Sequence, residues 1–97
     1  MLIIYRKENQ FIMLDKDKML ITEIDVENDL CVFEYNNEIY ELRAGKNIVI
    51  NGSRIFLLDI EAGIGNYKDV ANFGFKSPYQ IVRGEVYDPN FNEERNW

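Results

Sequence analysis

The stretch Glu38-Ile-Tyr-Glu-Leu-Arg-Ala-Gly-Lys-Asn-Ile-Val-Ile-Asn-Gly52 decides how this chain is read. It predicts two short strands, Ile39–Arg43 and Asn47–Ile50, hinged at Ala44-Gly45-Lys46. Gly45 suits the hinge because glycine takes a positive φ without a Cβ clash. Asn51-Gly52 is a strong hairpin turn signal. Working outward, Ile39–Arg43 closes one small β-unit and opens a second.

Towards the N-terminus, four strands are expected. They are Leu2–Lys7, Phe11–Leu14, Met19–Val26 and Leu30–Tyr35. Glu8-Asn9, Glu27-Asn28-Asp29 and Asn36-Asn37 are turns, and Asp15–Lys18 is a polar loop. In Met19–Val26 the alternation places Leu20, Thr22, Ile24 and Val26 on one face and Glu23 and Asp25 on the other. Met19 and Ile21 are exceptions to that pattern. Towards the C-terminus, Arg54–Ile60, Asp69–Phe75 and Tyr79–Arg83 are strands, with a loop from Glu61 to Lys68. Gly74 marks a bulge or a close backbone approach. Glu85-Val86-Tyr87 could begin a helical turn, which Pro89 stops. No segment sustains a 3.6-residue period, so the chain reads as all-β. The recurring order of turns and strands fits either a degenerate internal repeat or a meander whose hairpins merely look alike.

A chain of 97 residues, 46% hydrophobic, is expected to form a single domain over 1–97 with a real core. The apolar N-terminal residues precede the charges, the reverse of a signal peptide, and no run is long enough to span a membrane. A cytoplasmic protein is expected. Cys31 is the single cysteine and there is no histidine. That removes a disulfide, a cysteine cluster, the commonest general base and the commonest zinc ligand. Neither an enzyme nor a cofactor or metal is expected. The acids near Asp15 and Asp17 lack calcium-loop spacing and read as a solvated face.

The net charge is −6, but it is unevenly spread. Residues 1–41 carry four Lys/Arg and ten Asp/Glu, whereas 42–97 carry seven of each. Arg6-Lys7 and Arg83, with Lys76 near it, are the basic spots.

Several motifs resemble the carbon storage regulator (CsrA/RsmA) family. Met1-Leu-Ile-Ile-Tyr-Arg-Lys7 is similar to its opening, and Gln10-Phe-Ile-Met-Leu-Asp15 to the run that follows. Asn72-Phe-Gly-Phe-Lys-Ser-Pro78 resembles its penultimate strand and turn. Ile81-Val-Arg-Gly-Glu-Val-Tyr-Asp88 resembles its last strand and helix start. Leu42-Arg-Ala-Gly-Lys-Asn-Ile-Val-Ile-Asn-Gly52 is similar to the first hairpin read a second time. The motifs are short but spread over most of the chain. Asn9 lacks a following glycine, the Pro78–Arg83 interval is short, and Asn36-Asn37 stands where the family has an Ala-Pro turn.

The resemblance implies a fused, degenerate pair of units, 1–43 and 39–88, sharing Ile39–Arg43 and followed by a polar tail at 89–97. One chain would then approximate the family's interleaved homodimer, a small barrel-like sandwich of antiparallel sheets, either as a monomeric pseudo-dimer or as a homodimer. It further implies translational regulation by binding mRNA hairpins that contain GGA. The contact residues carried over by position are Leu2, Ile4, Arg6 and Lys7 on the first strand, with Ile81, Val82 and Arg83 on the last. Arginine suits that role because its planar fork of donors fits phosphate or a guanine edge. The plainer reading makes Arg6, Lys7 and Arg83 ordinary strand-end charges in water. A different alternative is an acidic protein-binding module or inhibitor that mimics a nucleic acid and has kept the scaffold without the RNA.

Overall fold

A computed structural model describes residues 1–78 and 81–83, the side chains of 82 and 83 excepted. The start of the expected last strand at 79–80, the helical turn at 85–87 and the tail at 89–97 lie outside the described residues. So do the side chains of Val82 and Arg83.

The described chain is all-β, in nine antiparallel strands. They are β1 (Leu2–Arg6), β2 (Phe11–Leu14), β3 (Asp17–Asp25), β4 (Leu30–Tyr35), β5 (Glu38–Arg43), β6 (Asn47–Ile50), β7 (Ser53–Glu61), β8 (Val70–Lys76) and β9 (Ile81–Arg83). One sheet has the order β1-β8-β7-β6 and the other β5-β4-β3-β2-β9. The strands are interleaved. β1 leaves its sequence neighbours to pair with β8, and β9 crosses to pair with β2. Among the described residues no helix is long and apolar enough to cross a membrane.

Turn chemistry explains the hairpins. Asn36 and Asn37 both have positive φ (53° and 65°), as do Asn51 and Gly52 (52° and 84°). Two consecutive left-handed residues make the type I′ geometry that matches strand twist. Asp15, also at positive φ, turns the chain so tightly that β3 begins at Asp17. The expected four-residue loop therefore shrinks to Asp15-Lys16. Gly45 has a φ of 87°, as the hinge requires. The hinge does not close a hairpin, however: β5 and β6 belong to different sheets.

The strand starts and pairing registers of the two halves match. Leu2 and Glu38, Phe11 and Asn47, and Asp17 and Ser53 begin equivalent strands, each pair thirty-six residues apart. β1 lies on β8 with Leu2 opposite Phe75 and Ile4 opposite Phe73. β5 lies on β4 with Glu38 opposite Tyr35 and Tyr40 opposite Phe33, the same offset. Both long strands are broken at the same point, between Ile21 and Glu23 in β3 and between Leu57 and Asp59 in β7. Such a bulge adds one residue and reverses the alternation beyond it.

That bulge corrects the expected face of the third strand. Met19 and Ile21 are buried before it and Ile24 after it, while Thr22 and Val26 are exposed and Leu20 is half-buried on the outer side. A strict alternation could not place Met19, Ile21 and Ile24 together. Gly74 carries no register break. No backbone closes on it either: a Cβ there would meet the side chains of Met1 and Leu58.

The core fills the space between the sheets with Ile12, Met19, Ile21, Phe33, Ile55, Leu57 and Phe73 at its fully buried centre. Phe33 and Phe73 are equivalent residues of the two halves, and their rings meet edge to face at 6.5 Å. Edge-to-face geometry sets the positive ring edge on the negative face of its neighbour. Phe33 also stacks on Tyr40, its cross-strand partner, at 5.4 Å. Cys31 is buried, and burial, with Glu8 and Glu23 adding to it, pushes its thiol up to about 12. A thiol so protected stays protonated and unreactive at neutral pH.

Candidate nucleic-acid interface

β1 and β9 are the edge strands of the two sheets on one side of the molecule, because the turn 7–10 carries the chain from β1 straight into β2, on which β9 lies. That turn is firmly held. Gln10 N–H donates to Lys7 O at 3.2 Å, and Lys7 N–H donates to Gln10 Oε1 at 2.8 Å. Asn9, at a φ of 69°, donates its N–H to Ile21 O at 2.7 Å. Glu8 reaches across to accept the Ile24 N–H at 2.8 Å, just past the β3 bulge.

The residues named from the sequence part company here. Leu2 and Lys7 are exposed, whereas Ile4 and Arg6 point inward. Arg6 is only 6% exposed and its Nε donates to Tyr5 O at 2.6 Å. An arginine so covered is not a strand-end charge in water, and its guanidinium is not displayed to a ligand. The reason is parity: Arg6 lies opposite buried Ala71 and shares the inward face with Ile4. Ile81 is half-buried and packs on the core, opposite Leu14. The backbones of Val82 and Arg83 lie opposite Met13 and Ile12.

The second half carries no arginine at the position equivalent to Arg6. In register, Leu42 stands where Arg6 stands in the first half, and Arg43 where Lys7 stands. Arg43 therefore does not reproduce Arg6, and its guanidinium donates to Asn28 O at 2.9 Å.

A cleft of about 470 Å³ opens beside the β1–β2 turn. It is lined by Lys7, Glu8, Asn9 and Gln10 on one wall and Tyr67, Lys68 and Asp69 on the other. The second wall is the β7–β8 connection, which is longer than its counterpart between β3 and β4. Asp69 shapes it by accepting the Gly63 N–H at 2.8 Å, and Tyr67 N–H donates to Ile64 O. Both carboxylates of the cleft are thus bonded to backbone N–H groups. Lys7 and Lys68 are exposed, and Tyr67 is 80% exposed, presenting its ring to solvent. Sequence reading missed Tyr67 and Lys68. The available signal was the extra length of this loop over its partner, with an aromatic-cation pair in it.

The outer faces of the sheets differ in chemistry. On the β1 sheet, Ile3, Gly74 and Phe56 form a cross-strand row beside Met1, Tyr5 and Leu58, with Lys76 Nζ 5.9 Å from the centre of the Phe56 ring. On the other sheet the corresponding positions include Glu34 for Gly74 and Glu41 for Tyr5, with Glu23 next to them. No family model, no curated protein and no solved structure matches the chain.

Proposed function

We propose that the protein is a post-transcriptional regulator that binds single-stranded loops of mRNA hairpins, of the GGA type implied by its resemblance to carbon storage regulators, on the β1/β9 side. The observation that carries this reading is the cleft in which Lys7 and Lys68 flank an exposed Tyr67. Unstacked bases are held by aromatic faces, and the phosphates between them by lysine or arginine. The contact set differs from that carried over by position. Lys7 and Leu2 stay, the covered Arg6 and Ile4 act as supports from beneath, and Tyr67 and Lys68 join. Ile81, Val82 and Arg83 supply the neighbouring edge.

Gel-shift titration against a GGA hairpin at several salt concentrations tests the proposal. Each phosphate contact contributes roughly 0.7 to the log–log salt slope for a single strand. Lys7→Ala and Lys68→Ala should each flatten the slope by about that much. Tyr67→Ala should weaken binding by about 1–3 kcal/mol with less change in slope. Arg43→Ala, on the other side of the molecule, should leave binding as it is. Absence of binding at low salt would dismiss the RNA reading.

One observation favours the second reading, an acidic module that binds a basic protein. Arg6 is covered, while Glu23, Glu34 and Glu41 are exposed on one outer face. Charge reversal at Glu34 and Glu41 would separate the two: it abolishes protein capture and leaves or strengthens RNA binding.

A further inference from the structure

The two halves differ at one place in their strand pairing. β2 has its outer edge covered by β9, but β6, its equivalent, has no strand beyond it among the described residues. The shared strand explains the gap. β5 fills the slot beside β4 that β1 fills beside β8, and a strand in one sheet cannot also serve the other. Among the described residues both β5 and β6 are therefore edge strands, on the side of the molecule opposite β1 and β9. An edge strand displays a row of backbone donors and acceptors and is a template for another chain.

We infer that the β5 edge of one copy of this chain pairs with the β6 edge of a second copy, closing a two-fold dimer. Three features select a second copy as the occupant. The first is backbone parity. Ala44 N–H donates to Asp29 O, so Leu42 and Tyr40 aim their backbone groups at β4, while Arg43, Glu41 and Ile39 aim theirs outward. Leu57 N–H donates to Lys46 O, so Ile48 and Ile50 face β7, and Asn47 and Val49 aim outward. The outward sets of the two edges also carry their side chains on the same, outer faces of their sheets.

The second feature is apolar surface. Ile39 is 71% exposed and Val49 52%, and the register that sets them opposite each other covers both. The third is charge. That register sets Glu41 opposite Asn47, whose Oδ1 accepts from the Arg54 guanidinium, with Lys46 next in sequence. Since β5 and β6 end different sheets of the same molecule, one two-fold axis makes both contacts at once, an isologous and closed arrangement. Each sheet then runs on into the other copy, and no β5 or β6 edge remains.

Sedimentation equilibrium of the full chain, up to about 1 mM, tests this. A monomer–dimer equilibrium is expected, weakened by salt because Glu41 faces cations. Val49→Pro removes only an outward N–H and should weaken the dimer more than tenfold. Glu41→Lys, an exposed change that spares the fold, should weaken it severalfold, and Arg54→Glu in the same chain should restore it. Mixing Ile39→Cys and Val49→Cys proteins should give a disulfide-linked heterodimer under mild oxidation. A monomer throughout the concentration range would overturn the inference. So would a dimer that neither Glu41→Lys nor Val49→Pro weakens.

Discussion

Replacing Phe33 and Phe73 by leucine, singly and together, probes the contact on which the interleaving of the two halves converges. Both rings are fully buried, and they meet edge to face at 6.5 Å across the inter-sheet space. Each Phe→Leu change removes part of a ring and leaves a small void. Losses of one methylene in a core run from about 0.5 to 1.5 kcal/mol, and full truncation of Phe to Ala costs about 3–5. Each single change should therefore cost about 1–3 kcal/mol. Phe33→Leu should fall at the upper end, because that ring also loses its stack on Tyr40. An edge-to-face pair contributes about 0.5–1.5 kcal/mol beyond its buried area. The double variant should be less destabilised than the sum of the singles by that amount. Urea denaturation followed by circular dichroism measures it. With a slope of about 1–3 kcal/mol per molar, each single change moves the midpoint by roughly 1 M. Independent sites add to within about 0.3–0.5 kcal/mol. A coupling inside that error would show that the rings share no contact, and would refute this packing of the two halves.

Two glycine substitutions should separate a soft neighbour from a hard one. Gly74→Ala meets the flexible Met1 side chain, which can swing away, and comes only to ordinary contact with Leu58 Cδ1 at 3.5 Å, so it should lower the thermal midpoint by no more than about 4 °C, equivalent to under 1 kcal/mol. Gly63→Ala would drive a Cβ into the Tyr67 carbonyl and to 2.7 Å from the Lys68 carbonyl carbon. Because backbone must move, it should cost about 1–3 kcal/mol and disturb the Tyr67 wall of the cleft. Equal midpoints for the two variants would contradict this contrast. Cys31, pushed up to about 12, should resist a thiol reagent at pH 8 until urea unfolds the chain. Its thiol ionises more readily in the unfolded state, so the stability it contributes is whole below about pH 9 and declines as pH rises towards 12. Rapid labelling of the folded protein at pH 8 would refute the burial.

The hairpin turns, most strand bounds and the all-β class were legible because their causes are local. Asn36-Asn37, Asn51-Gly52 and Gly45 are residue types that tolerate positive φ in tight turns and adopt it here, and strands fill the intervals. Lys7 was legible as an exposed cation at the end of β1. Tertiary structure decided the rest, through choices of partner that no local pattern encodes. The bulges at Thr22 and Leu58 reverse which residues face inward, and depend on how β3 and β7 meet β4 and β8. Arg6 is covered because β1 pairs with a strand sixty-odd residues away, which turns its side chain inward. Tyr67 and Lys68 join Lys7 only because that pairing brings the β7–β8 loop against the β1–β2 turn. Periodicity and turn propensity act over a few residues, whereas the choice of partner strand is made by burial between sheets. The sequence therefore determined the parts and their order. The fold alone determined that β5 sits beside β4 and leaves the edge of β6 open among the described residues.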